Sequence, residues 1–204
     1  MTRIALIDHG AGNLVSAARG LERSGAEVAI VADPAGLADC DGVVLPGVGT
    51  TGAAMARLRT QGLVAALEEW SGPLLGICVG LQLFFESSDE DGTECLGFMP
   101  GTVSELPNAP LLPHIGWNDV SLSPDPLFTG LGPSELFYFV HSYAPMPRET
   151  GDVIGWSEYG SKFAAAARRG NRVGVQFHPE RSGAAGLAVL ANFVRNCREQ
   201  RRAA

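Results

Sequence analysis

Short apolar runs alternate with segments of helical periodicity from Arg3 to Glu86, and this alternation restricts the fold more than any other feature. Arg3 to Ile7, Glu27 to Val31, Gly42 to Leu45 and Pro73 to Ile77 are too short for helices and read as buried strands. Between them Leu14, Ala17, Ala18 and Leu21 recur at helical spacing, with Gly25 as a stop. Met55, Leu58, Leu63, Val64 and Leu67 mark further helical segments, interrupted at Gly62. Val79 to Glu86 reads as a helix after the last of these strands. The pattern predicts an α/β fold: a largely parallel central sheet flanked by helices.

The pattern changes after Ser87. Ser88 to Gly92 is acidic and turn-like. From Gly101 the chain reads as short strands divided by Pro, Gly and Asn, including Leu136 to Tyr143, Asp152 to Ser157, Phe163 to Ala167 and Val173 to Phe177. Turns at Tyr159-Gly160 and Gly170-Asn171 make this second half antiparallel and β-rich. Leu187, Leu190, Ala191 and Val194 describe a last helix. No repeat and no long linker divides the chain, so 1–204 is expected to be a single domain.

Charge and cysteine usage remove several function classes. A net charge of −7 disfavours binding to a phosphate backbone, so no nucleic-acid partner is expected. Arg195, Arg198, Arg201 and Arg202 read as a solvated face that suits the end of the last helix. No apolar run reaches the roughly 18 residues of a membrane span, and no signal-peptide pattern is present, so no membrane association is expected. Cys40, Cys78, Cys95 and Cys197 form no C-x-x-C pair and have no histidine cluster beside them. Neither a metal site nor a disulfide framework is expected, and free thiols point to the cytoplasm.

Three fragments carry chemistry. In Gly76-Ile77-Cys78-Val79-Gly80 a buried strand runs into a cysteine with glycines two residues away on each side. That is a nucleophile elbow with cysteine as the attacking group, and the helix start behind it favours an anion. A buried structural cysteine would give the same local string, so this fragment needs the other two. In Gln176-Phe177-His178-Pro179-Glu180, extended geometry turns His178 and Glu180 to the same side, where a carboxylate can orient and charge an imidazole. Leu45-Pro46-Gly47-Val48-Gly49 ends another strand in a glycine-rich turn whose N–H groups can face a developing oxyanion. A Gly10-x-Gly12 string after the first strand resembles a dinucleotide loop, but Val15 occupies the third glycine position.

Taken in order, these fragments resemble the class I glutamine amidotransferases, whose fold is flavodoxin-like and whose Cys…His-x-Glu triad matches Cys78, His178 and Glu180. The likeness extends over nearly the whole chain. It is strongest to the glutaminase subunits of imidazole glycerol phosphate synthases, through Ile7-Asp8-His9-Gly10-Ala11-Gly12-Asn13-Leu14, Pro46-Gly47-Val48-Gly49, Pro113-His114-Ile115-Gly116-Trp117-Asn118, Val140-His141-Ser142-Tyr143 and Gln176-Phe177-His178-Pro179-Glu180-Arg181-Ser182. His9 departs from the usual tyrosine, Thr50-Thr51 from an aromatic-containing stretch, and Arg181 from a common lysine.

The resemblance implies that Cys78 attacks the side chain of glutamine, with Val48, Gly49 and Val79 at the oxyanion. Gly49, Gln82, His141 and Ser142 match positions lining the glutamine pocket. It implies no cofactor and no metal. It implies a heterodimer with a (β/α)₈-barrel cyclase that uses the ammonia to make imidazole glycerol phosphate and aminoimidazole carboxamide ribotide. Asn13, Trp117, Asn118, Tyr138 and Arg181 are the candidates for the partner-facing surface. Competing readings are the small subunit of anthranilate synthase, a nucleotide-binding module, and a cysteine peptidase or inactive scaffold on the same fold.

Overall fold

The computed structural model describes residues 1–10 and 13–203. Its first half contains β1 (Thr2–Ile7), α1 (Leu14–Arg23), β2 (Ala26–Val31), β3 (Gly42–Leu45), α2 (Thr51–Thr60), α3 (Leu63–Glu69), β4 (Leu74–Ile77) and α4 (Val79–Gln82). Then come β5 (Ser87–Ser88), β6 (Thr93–Glu94), β7 (Gly101–Glu105), β8 (His114–Leu122), β9 (Ser134–His141), β10 (Tyr143–Pro147), β11 (Val153–Tyr159), β12 (Ser161–Arg169) and β13 (Arg172–Val175). The helix α5 (Gly183–Ala203) follows.

Among the described residues, nine strands form one sheet in the order β2-β1-β3-β4-β13-β12-β11-β8-β9, and four form a second, β10-β7-β5-β6. The strands β2, β1, β3, β4 and β13 run parallel. Their order is the flavodoxin one, in which ligands gather beyond the carboxyl ends of the strands. The residues of β3 and β4 are buried throughout, as their unbroken apolar runs require. Side-chain caps start the helices: Asn13 accepts from Ser16 N at 3.2 Å, and Thr50 accepts from Ala53 N at 3.3 Å. Gly62, at φ 70°, separates α2 from α3 as the sequence predicts.

The β-rich second half divides between the two sheets. β13 returns to pair with β4, and β12, β11, β8 and β9 extend the same sheet antiparallel from it. The expected turns at Tyr159-Gly160 and Gly170-Asn171 join β11 to β12 and β12 to β13.

Two expected elements are different. The helix expected over Val79–Glu86 is a single turn ending at Gln82. Leu83, Phe84 and Phe85 are all fully buried, and three consecutive residues cannot share one face of a helix. Their segment instead leads into β5, with Glu86 N donating to Gly101 O at the start of β7. The single strand expected over Leu136–Tyr143 is two strands in different sheets, with the change at Ser142.

Gly80 allows the elbow to sit under β3. A Cβ built there would meet the carbonyl oxygen of Leu45, and one on Gly76 would lie 2.6 Å from the Gly80 backbone. Backbone cannot yield as a side-chain tip can. Gly80→Ala is therefore expected to lower the unfolding free energy by about 2 kcal/mol or more, read from the urea midpoint. An unchanged midpoint would contradict this packing.

Candidate active site

Cys78 lies between β4 and α4 with φ 55° and ψ −110°, a conformation that a side chain rarely adopts. It is held there by Cys78 N donating to Val175 O at 2.8 Å and by Leu81 N donating back to Cys78 O at 3.0 Å. The thiol is buried, 3% exposed, and Val79 N–H opens the helix turn behind it.

His178 follows β13, the neighbour of β4, so the imidazole approaches the sulfur across one strand spacing. Its backbone N donates to Tyr138 O at 2.9 Å. Nδ1 bonds Glu180 Oε1 at 2.9 Å, and the Cys78 sulfur lies within side-chain hydrogen-bond reach of the same ring. The sequence reading carried extended geometry through Glu180. The chain instead folds into a 3₁₀ turn at Pro179–Arg181, which brings the carboxylate back under the ring. Ser182 Oγ fixes that turn, donating to His178 O at 2.7 Å and accepting from Tyr138 N at 3.0 Å. Ser182 appeared in the sequence only as the end of a matching string; nothing local marked its hydroxyl.

Burial opposes charge on His178. The Cys78 sulfur and the Glu180 carboxylate outweigh it and push the imidazole up to about 10. The arrangement sets a sulfur, an imidazole and a carboxylate side by side.

Val48, Gly49, Cys78, Val79, Gln82, Glu90, His141 and Ser142 line one cavity of about 240 Å³, with Pro113, Val140 and Tyr143 completing it. Its size suits a ligand of amino-acid dimensions. Gly49 has φ 89°, open to glycine, and Gly47 packs so closely on Val79 that a Cβ there would come within 2.7 Å of the valine side chain. The buried His9 ring joins the turn through Nε2 at 2.7 Å from Pro46 O. Thr50 caps α2, while Thr51 gives its N–H to Glu90 Oε2 at 3.0 Å. Glu90 was invisible as a site residue in the sequence, being one of several acids in a turn-like stretch.

His141 is held neutral. Burial pushes it down to about 3, against the Tyr143 carbonyl, which Nδ1 meets at 2.9 Å. Its Nε2 meets His114 Nδ1 at 3.1 Å. Gln82 Nε2 donates to Tyr143 O at 2.8 Å and to Gln176 Oε1 at 3.1 Å, so Gln82 has only its oxygen left to present to the cavity.

On the rim, the Arg181 guanidinium lies 4.3 Å over the Tyr138 ring, and Trp117 meets that ring edge-on at 6.0 Å. Trp117 is 55% exposed. Asn13 borders a small recess shared with His178 and Glu180. Asn118 is not part of this face. Its side chain turns to the opposite side of β8 from Trp117 and donates to Glu158 O at 2.8 Å. The second glycine of the dinucleotide-like string, Gly12, lies outside the described residues.

Residues 5–197 match the family model for glutamine amidotransferase class-I. The chain is 49% identical over 198 residues to an imidazole glycerol phosphate synthase subunit HisH of Moorella thermoacetica, covering 95% of this chain and 94% of that one. It is 48% identical over 200 residues to the HisH subunit of a Synechococcus species, covering 94% and 93%. Its fold superposes on a solved glutamine amidotransferase with a TM-score of 0.73 at 21% identity, covering 95% of this chain and 98% of that one. The chain therefore belongs to the class-I glutamine amidotransferases, and within them to the HisH subunits of imidazole glycerol phosphate synthase.

Proposed function

We propose that this chain hydrolyses glutamine to glutamate and ammonia through Cys78, His178 and Glu180. In histidine biosynthesis it hands the ammonia to a (β/α)₈-barrel cyclase subunit, which forms imidazole glycerol phosphate and aminoimidazole carboxamide ribotide. The observation that carries the reading is the buried sulfur beside an imidazole braced by Glu180, at the wall of a cavity of amino-acid size.

In the proposed sequence the Cys78 thiolate bonds to the carboxamide carbon of glutamine. The carbonyl oxygen takes up the charge towards Val79 N–H and the Val48-Gly49 turn. His178 gives its proton to the departing nitrogen, and ammonia leaves. Water, losing its proton to His178, then opens the glutamyl thioester and frees the thiolate. Glu90 supplies a carboxylate to the α-amino group, and Gln82 supplies its oxygen as a further acceptor. Gly49, His141 and Ser142 shape the rest of the pocket, with His141 acting as a neutral group.

Ammonia set free in water becomes ammonium and loses its nucleophilicity, so the reaction needs a docked partner that excludes solvent. Trp117, Tyr138, Arg181 and Asn13 form the proposed docking rim around the triad. Free Cys40, Cys78, Cys95 and Cys197 fit a reducing, cytoplasmic compartment.

Glutamate release is the direct test. The chain alone should turn over slowly and accelerate when the cyclase and its phosphorylated ribulosyl substrate are added. Cys78→Ser should abolish the release by about 10³-fold or more. Full turnover without the cyclase would contradict the partner dependence, and an active serine variant would contradict the nucleophile.

The raised His178 sets the pH profile. Its imidazolium persists through neutral pH, so the alkaline fall in kcat/KM should lie towards about 10. A limb centred on 6.5, the ordinary histidine value, would show that the ring titrates without its two partners.

A further inference from the structure

The site contains a fully buried polar side chain that the proposed chemistry does not use. Gln176 is 0% exposed, in the segment that leaves β13. The parallel register sets Val175 beside Ile77, which brings Gln176 level with Cys78. Its Nε2 lies 3.5 Å from the Cys78 sulfur.

The direction of this contact is fixed by a chain of hydrogen bonds anchored on backbone. The Tyr143 carbonyl can only accept, so the group of Gln82 that meets it at 2.8 Å is the amide nitrogen. The same nitrogen lies 3.1 Å from Gln176, so the atom there is Oε1. The nitrogen of Gln176 is left to face the sulfur. Reversing either amide would set two acceptors or two donors against each other in a buried space, at the cost of leaving them unpaired.

We propose that Gln176 is a further catalytic residue: its side-chain N–H donates to Cys78 Sγ and stabilises the thiolate, in an orientation imposed by Gln82 and the Tyr143 carbonyl. The Val140 carbonyl, 3.8 Å from the sulfur, is the acceptor for the thiol form. When the proton passes from Sγ to His178, the sulfur keeps the electron pair of the S–H bond. The resulting negative charge then faces the Gln176 amide. Hydrogen bonds to an ionised group are stronger than those to a neutral one, so the contact favours the thiolate. The same wiring couples the pocket to the nucleophile, because Gln82 both lines the cavity and holds Gln176.

The inference deepens the glutaminase reading and rests on it for the identity of the reaction; its test does not need glutamine. Iodoacetamide alkylation of Cys78 in the full chain follows the thiolate population and is read by peptide mass, separately from Cys40, Cys95 and Cys197. Gln176→Met keeps the length and removes the donor. Its alkylation midpoint should rise by about one pH unit, with about tenfold slower alkylation at pH values below the wild-type midpoint. Gln176→Glu keeps the bond to Gln82 and turns a carboxylate oxygen to the sulfur. Its midpoint should rise further, and it serves if the methionine variant does not fold. A purely structural role would lower thermal stability and leave the midpoint in place. Midpoints coinciding with the wild type would overturn the proposal. A wild-type chain that releases no glutamate with its cyclase would sink the function reading, while the alkylation comparison would still decide the role of Gln176.

Discussion

The left-handed backbone at Cys78 is the constraint on which the rest of the site depends. A cysteine at φ 55° is unfavourable in isolation, and structure on both sides maintains it. Cys78 N is tied to β13 through Val175 O, and the following turn packs against the end of β3 at a glycine. The strained turn lifts the sulfur above the carboxyl edge of the sheet and aligns the N–H groups of α4 behind it.

The second requirement is the return of the chain. A hundred residues separate Cys78 from His178, and the parallel pairing of β13 with β4 cancels that separation. Once β13 is in register, the ring, its brace Glu180 and the buried Gln176 all reach the same end of the sheet. Two histidines there carry opposite assignments. His178, beside a sulfur and a carboxylate, is pushed up to about 10, while His141, buried against His114 and a carbonyl, is pushed down to about 3. One group can hold and release a proton, and the other stays a neutral wall of the pocket.

Much of this was legible in the sequence because it rests on local chemistry. Unbroken apolar runs mark the doubly covered strands β3 and β4, and glycines two residues either side of Cys78 mark a turn without room for a Cβ. The shortness of α4 was harder to read, since Leu83-Phe84-Phe85 is apolar enough to continue a helical pattern. Its burial on all sides appears only with the second sheet around it. Gln176 was visible only as the first residue of the His178 fragment and Glu90 not at all, because their partners are distant in sequence and become neighbours only through folding. Asn118 sits next to Trp117 in a strand, and the two-residue period that turns such neighbours to opposite faces was readable in the sequence.

The claim that an imidazolium stands beside the sulfur is tested most directly by ¹⁵N NMR of the histidine rings at neutral pH. The account predicts that His178 carries protons on both ring nitrogens, while His141 in the same spectrum carries one. A neutral His178 with a single protonated nitrogen would contradict it.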